Sequence, residues 1–144
     1  VVDMARETGW LHITGGEPMD QPDAMYKCLE RAMLAGVKTQ VQTSGLRKMR
    51  VLPDYLTVSP KSLKSLVQLE GNEVVLVYDP KWVTPEVATE IYRKTSFKRY
   101  YIQPLQSGSE FNGEAAVKFC NELNKDDSMV WGMTCQMHKY LGIR

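Results

Sequence analysis

Five short polar clusters hold most of the groups in this chain that could do chemistry. They are Thr14-Gly15-Gly16-Glu17-Pro18, Gln42-Thr43-Ser44-Gly45, Ser59-Pro60-Lys61, Gln103-Pro104-Leu105-Gln106 and Gln136-Met137-His138-Lys139. Together they offer backbone amides, hydroxyls, side-chain amides, one carboxylate, two ammonium groups and one imidazole. That inventory suits a polar, zwitterionic ligand. Gly15 and Gly16 let the backbone come close to a ligand, because no Cβ intrudes. Glu17 offers a charge for an ammonium group, and Lys61 one for a carboxylate. Gln103 and Gln106 present donors and acceptors for a heterocycle edge or a ribose. His138 can donate, accept or shuttle a proton near neutral pH. No familiar nucleophile–base pair is present, so no residue is assigned a catalytic role. Any one cluster alone reads equally well as a plain turn; the five together point to a ligand.

A metal has no obvious home. The three cysteines, Cys28, Cys120 and Cys135, never stand within three residues of one another, so no C-x-x-C motif exists. They read as small buried hydrophobes in a reducing, cytoplasmic setting. Metal ligands are therefore assigned nowhere.

The elements that must position the clusters follow from periodicity. Strands are predicted at 10–14, 38–43, 55–59, 73–78, 100–103 and 129–134. A helix tail at 1–9 ends on Gly9. Asp20 is expected to cap a helix bearing Met25, Leu29, Ala32 and Met33. A short helix is expected at 62–69. Thr84-Pro85 opens another with Val87, Ala88, Ile91 and Tyr92 on one face. Asn112 is expected to cap the last, which carries Ala116, Val117, Cys120 and Leu123. The basic run 94–99 reads as a helix end and solvated surface. Trp10, Tyr100, Tyr101 and Trp131 read as core or wall residues. Connections this long permit crossovers between parallel strands. The fold class is thus α/β with mostly parallel strands, in an open sheet or part of a barrel. In such a fold the C-terminal strand ends share one edge, where ligands bind. All the polar clusters fall at or near strand ends.

Bulk properties agree with one soluble domain over residues 1–144. The 144 residues are 43% hydrophobic and 24% charged, with net charge +1. That charge gives no electrostatic ground for a nucleic-acid or membrane partner. No apolar run is long enough for a membrane span. A chain that opens on the end of a helix is expected to have lost an N-terminal segment.

The clusters also carry a resemblance. Thr14-Gly15-Gly16-Glu17-Pro18 at a strand end is similar to the GGEP motif of radical S-adenosylmethionine (SAM) enzymes, which receives the amino group of SAM. Gln42-Thr43-Ser44-Gly45 resembles the E/Q-T-N/S-G element of the next strand. Ser59-Pro60-Lys61, the later Gln-Pro strand end and the closing Gln136-x-His138-Lys139-x-x-Gly142 resemble the 7-carboxy-7-deazaguanine synthase family, over essentially the whole chain.

The resemblance implies a partial (β/α) barrel. It implies a lyase of queuosine and 7-deazaguanine biosynthesis, which rearranges 6-carboxy-5,6,7,8-tetrahydropterin to 7-carboxy-7-deazaguanine with loss of ammonia. In that reaction a [4Fe–4S] cluster cleaves SAM reductively, the resulting radical abstracts a hydrogen, and Mg²⁺ assists. Carried over, Gly15, Gly16, Glu17, Thr43, Ser59, Pro60, Lys61, Gln103, Pro104, Leu105 and Gln106 bind SAM, with Glu17 beside its amino group. Thr14, His138 and the carboxylate of Arg144 meet the pterin. The family often has an acid or another polar residue where Gln106 stands. A cytoplasmic homodimer is implied. The family's C-x-x-x-C-x-x-C cluster motif precedes its GGEP strand and has no match here, and the Mg²⁺ ligands also lie upstream in the family. The chain alone is therefore expected to bind SAM weakly and to catalyse nothing. Two further readings stay open: another radical SAM enzyme, such as an activase of a glycyl-radical protein, and a non-catalytic remnant of the fold.

Overall fold

Alternation and helical spacing set the elements of the computed structural model, which describes residues 2–108, 110–126 and 128–136. The chain divides into two compact units, residues 1–72 and 73–144.

In the first unit, α1 (Val2–Thr8) ends on Gly9, whose φ of 73° only glycine adopts without strain. β1 (Trp10–Ile13) follows, then a 3-10 turn (Pro18–Asp20), α2 (Pro22–Leu34), β2 (Lys38–Thr43) and β3 (Tyr55–Val58). The strands run β1-β2-β3, and both pairings are parallel. Registers of Ile13 on Val41 and Thr43 on Val58 bring the three C-terminal strand ends to one edge. Along β2, Thr39, Val41 and Thr43 are buried while Lys38 and Gln42 are exposed, the period of two that seats one face on a core. α2 buries Met25, Leu29 and Ala32, one stripe at helical spacing. Ala5, Leu11, Ala32 and Val37 pack together beneath it. Asp54 clips the approach to β3 onto the start of β2, accepting from the Thr39 amide at 2.8 Å and its hydroxyl at 2.9 Å. Those two bonds outweigh burial and hold the Asp54 carboxyl below its usual range.

β4 (Glu70–Tyr78) begins in the first unit and continues into the second. The second unit adds α3 (Pro85–Lys94), β5 (Ser96–Pro104), the two-residue strands β6 (Gln106–Ser107) and β7 (Glu110–Phe111), α4 (Gly113–Leu123) and β8 (Gly132–Met133). Its strand order is β4-β5-β8, with β5 and β8 parallel; β6 and β7 form a small antiparallel hairpin. Thr84 caps α3 by accepting from the Val87 amide, and Ala88 and Ile91 are buried. Val74, Leu76 and Ile102 are fully buried strand residues. Tyr100 and Trp131 are buried and meet edge to face, whereas Trp10 and Tyr101 are half-buried.

The α/β class with parallel strands is as expected; several local expectations are overturned. No helix forms at 62–69. There the Ser62 hydroxyl bonds the Ser65 hydroxyl and amide, an alternative that competes with helical bonding, and the chain then extends. Asp20 ends the 3-10 turn instead of capping α2; Gln21 stands at the cap without a side-chain bond. Asn112 heads α4 but also makes no capping bond. The run 94–99 is only partly as expected: Lys94 ends α3 and Lys98 and Arg99 are exposed, but the chain from Ser96 on is already β5, with Phe97 buried. β4 starts three residues before its expected position, at Glu70, and the last strand shrinks to Gly132–Met133. Among the described residues, no helix is long and apolar enough to cross a membrane.

Candidate functional site

In the first unit the three strand ends are laced together by the predicted residues. β1 runs into Thr14, whose hydroxyl donates to Gln42 Oε1 at 3.2 Å. Gly15 and Gly16 follow at φ 83° and 55°, and a Cβ built on either would meet no atom within 4 Å. The turn is therefore both left-handed, which favours glycine, and open to an incoming molecule.

Glu17 then swings its carboxylate onto the end of β2. Oε1 accepts from the Thr43 hydroxyl at 2.6 Å and the Met19 amide at 3.0 Å. Oε2 accepts from the Ser44 amide at 2.7 Å and the Ser44 hydroxyl at 2.5 Å. A carboxylate has about four lone-pair positions, so these donors use them all. Burial pushes the Glu17 pKa up, but the bonds from Ser44, Thr43 and Met19 prevail and hold it below its ordinary 4.5. Glu17 is thus a charged brace between two strand ends.

The third strand end joins through the backbone. Ser59 donates its amide to the Thr43 carbonyl at 2.8 Å. Thr43 is buried, with its hydroxyl also accepting from the Gly45 amide at 3.1 Å. Pro60 is buried, Ser59 half-buried and Lys61 exposed, with no ion pair to Lys61 among the described residues. So Thr14, Gly15, Gly16, Glu17, Thr43, Ser59, Pro60 and Lys61 all lie on, or just beyond, one edge of the β1-β2-β3 sheet.

In the second unit, Gln103 and Leu105 are half-buried, Pro104 is buried and Gln106 exposed. They form the end of β5 and the turn into the β6–β7 hairpin. Gln106 Nε2 donates to the Gly108 carbonyl at 3.2 Å. Asn112 brackets Leu105: its Oδ1 accepts from the Leu105 amide at 2.7 Å, and its own amide donates to the Leu105 carbonyl at 3.2 Å. His138 and Arg144 lie outside the described residues.

Sequence reasoning missed the work of Ser44 and Asn112. A hydroxyl residue beside Thr43 at the end of the strand adjoining Glu17 was the available signal for Ser44. For Asn112 the helix-cap reading hid the alternative use of the same amide.

The cysteines do not assemble. The expectation that all three are buried holds only for Cys120, on α4; Cys28 on α2 and Cys135 are exposed. Burial raises the Cys120 pKa, so its thiol is held in the protonated, unreactive form. Among the described residues no group of three or more His, Cys, Asp or Glu could hold a metal ion. The donor set present does not fit an iron–sulfur cluster.

No family model matches the chain. It is 31% identical over 138 residues to the 7-carboxy-7-deazaguanine synthase of Haemophilus influenzae, covering 91% of this chain and 64% of that protein. It is 32% identical over 132 residues to the Caulobacter vibrioides protein of the same name, covering 90% and 57% respectively. The Bradyrhizobium diazoefficiens protein of that name is 31% identical over 143 residues, with 97% and 62% covered. The chain thus spans about three-fifths of the length of these curated relatives. Among solved structures, a domain of pyruvate-formate lyase-activating enzyme from Bacteroides vulgatus superposes with a TM-score of 0.63 at 14% identity, covering 86% of this chain and 98% of that one. At that identity the likeness is one of fold.

Proposed function

Because the chain belongs to the 7-carboxy-7-deazaguanine synthase family, we propose that it forms SAM-binding structure of a radical SAM lyase. The proposed reaction converts 6-carboxy-5,6,7,8-tetrahydropterin to 7-carboxy-7-deazaguanine with loss of ammonia, in the cytoplasm and as a homodimer. The observation that carries this reading is the Glu17 brace beneath an open double-glycine turn. Residues there fit the amino-acid end of SAM: an ionised carboxylate sets a negative potential, and glycine backbone is open to approach.

The roles differ in kind. With four donors already on its carboxylate, Glu17 supplies charge and holds the turn, and the backbone of Gly15 and Gly16 takes the direct contacts with the ammonium group. Thr43, Ser59 and Pro60 shape the floor of that edge, and Lys61 supplies the cation for the SAM carboxylate. The turn from Gln103 to Gln106, taken by itself in the second unit, offers amide groups that suit an adenosine. Thr14, His138 and the Arg144 carboxylate are assigned to the pterin. Bound SAM supplies the 5′-deoxyadenosyl group on which the family's radical chemistry depends. The [4Fe–4S] cluster and Mg²⁺ of that chemistry find no ligand group among the described residues, so the isolated chain is proposed to be inactive.

Calorimetric titration of the whole chain with SAM tests the binding. Saturable uptake is expected at concentrations up to about 1 mM, equivalent to only about 4 kcal/mol, and Gly16→Val abolishes it by forcing a β-branched residue to positive φ. No uptake in that range refutes the assignment. Incubation of the reconstituted chain with a strong reductant should yield no 5′-deoxyadenosine by mass spectrometry; its appearance overturns the proposed inactivity.

A further inference from the structure

We propose that Asn112 is a positioning residue that fixes the turn from Gln103 to Gln106 for its ligand, an inference that rests on the SAM reading above. Three observations point there. First, Asn112 stands at the head of α4 yet makes no capping bond. Its amide is committed elsewhere, with Oδ1 accepting from the Leu105 amide at 2.7 Å and Nδ2 donating to the Tyr78 carbonyl at 2.8 Å. One side chain thereby ties the end of β4 to the end of β5. Second, the Asn112 amide also donates to the Leu105 carbonyl at 3.2 Å, so both backbone groups of Leu105 are held by one residue. Third, α4 is anchored on the same strand end by its own core, since Phe119 stacks on Tyr78 with ring centroids 4.6 Å apart. The helix is a fixed post, and Asn112 transmits its position to the turn.

The job demands asparagine. Leu105 presents a donor and Tyr78 an acceptor, so the side chain must accept on one atom and donate on the other at short reach. Aspartate keeps only the acceptor, and alanine keeps neither. Gln103 and Gln106 flank the bracketed residues. With Leu105 released, their amide groups lose a fixed origin and pay the ordering entropy on binding.

The test follows amide exchange residue by residue in the whole chain, with SAM titrated by calorimetry. Asn112→Ala should speed exchange at the Leu105 amide about tenfold relative to Ile102 in the middle of β5, and weaken SAM binding by about the same factor. Asn112→Asp sets a carboxylate against the Tyr78 carbonyl, so it melts no higher than the alanine variant. It still protects the Leu105 amide, and its SAM affinity should fall between those of Asn112→Ala and the unaltered chain. Affinity that follows Leu105 protection, and not melting temperature, supports positioning. Affinities ordered by melting temperature, unchanged Leu105 exchange in Asn112→Ala, or SAM binding unaltered in both variants would overturn it. If alanine prevents folding, the aspartate variant carries the comparison alone: Leu105 protected with SAM binding retained supports the role, and Leu105 unprotected overturns it. Absence of SAM uptake by the unaltered chain sinks the SAM reading, and Leu105 exchange then decides whether Asn112 fixes the turn at all.

Discussion

Replacing Glu17 by glutamine should destabilise the chain by about 2 kcal/mol and weaken SAM binding at least about tenfold, although the side chain keeps its shape. Each carboxylate oxygen faces a backbone amide: Met19 N on one side and Ser44 N on the other. A glutamine must turn its NH₂ toward one of them. The hydroxyls of Thr43 and Ser44 can rotate to accept, but an amide N–H cannot, so neither orientation avoids a donor against a donor. Glu17→Ala removes all four bonds and should cost about 3 kcal/mol. Urea unfolding of the two variants measures both values. A glutamine variant with an unchanged midpoint would show that the brace does not hold the edge.

The same brace fixes the sign of a pH effect. The Glu17 pKa is lowered on folding, so the unfolded chain takes up the proton first as pH falls. The stability it contributes is fully present above its ordinary pKa of 4.5 and is lost as pH falls through the lower folded value. The chain should therefore lose stability on acidification below about pH 4.5 more steeply than the Glu17→Gln variant does.

The strand ends were legible in the sequence because turn-formers follow each strand, and a parallel sheet must gather those ends on one edge. Thr14 to Glu17, Thr43 and Ser59 to Lys61 assemble in the first unit for that reason alone. What the sequence concealed was the use of individual polar groups. Glu17 reads as a free anion in one dimension; only the register of β1 on β2 brings it against the hydroxyls of Thr43 and Ser44. Asn112 reads as a helix cap, since local bonding is its commonest use, but a long-range partner at Tyr78 outcompetes it. The error at 62–69 has the same root. Its helical spacing is genuine, yet Val67 and Gln68 find the Gly45 carbonyl at 2.8 and 3.0 Å, and that tertiary bonding overrides local propensity. The strand over Ser96 to Arg99 was missed because these residues show no period of two: Lys98 and Arg99 are both exposed between buried Phe97 and Tyr100, and alternation begins only at Tyr100.

Gly45 should prove the least replaceable glycine beside the site, with Gly45→Ala costing about 3 kcal/mol. Two effects add there. Its φ of 76° strains any residue with a Cβ, and that Cβ would lie 2.7 Å from Val58 Cγ1 and 2.9 Å from Leu66 Cδ1. Val58 is fully buried and cannot retreat. Gly36 separates the two effects. Its φ is 69°, but a Cβ there meets nothing within 4 Å, so Gly36→Ala should cost only the backbone strain of about 1 kcal/mol. Equal losses in the two variants on urea unfolding would refute the packing argument. The difference also bears on the ligand. The Gly45 carbonyl holds the amides of Val67 and Gln68, and its neighbour Ser44 gives two of the four bonds to Glu17. A backbone forced away from Val58 therefore drags Ser44 off the carboxylate. Gly45→Ala should weaken SAM binding several-fold without any contact of its own, while Gly36→Ala leaves that affinity unchanged.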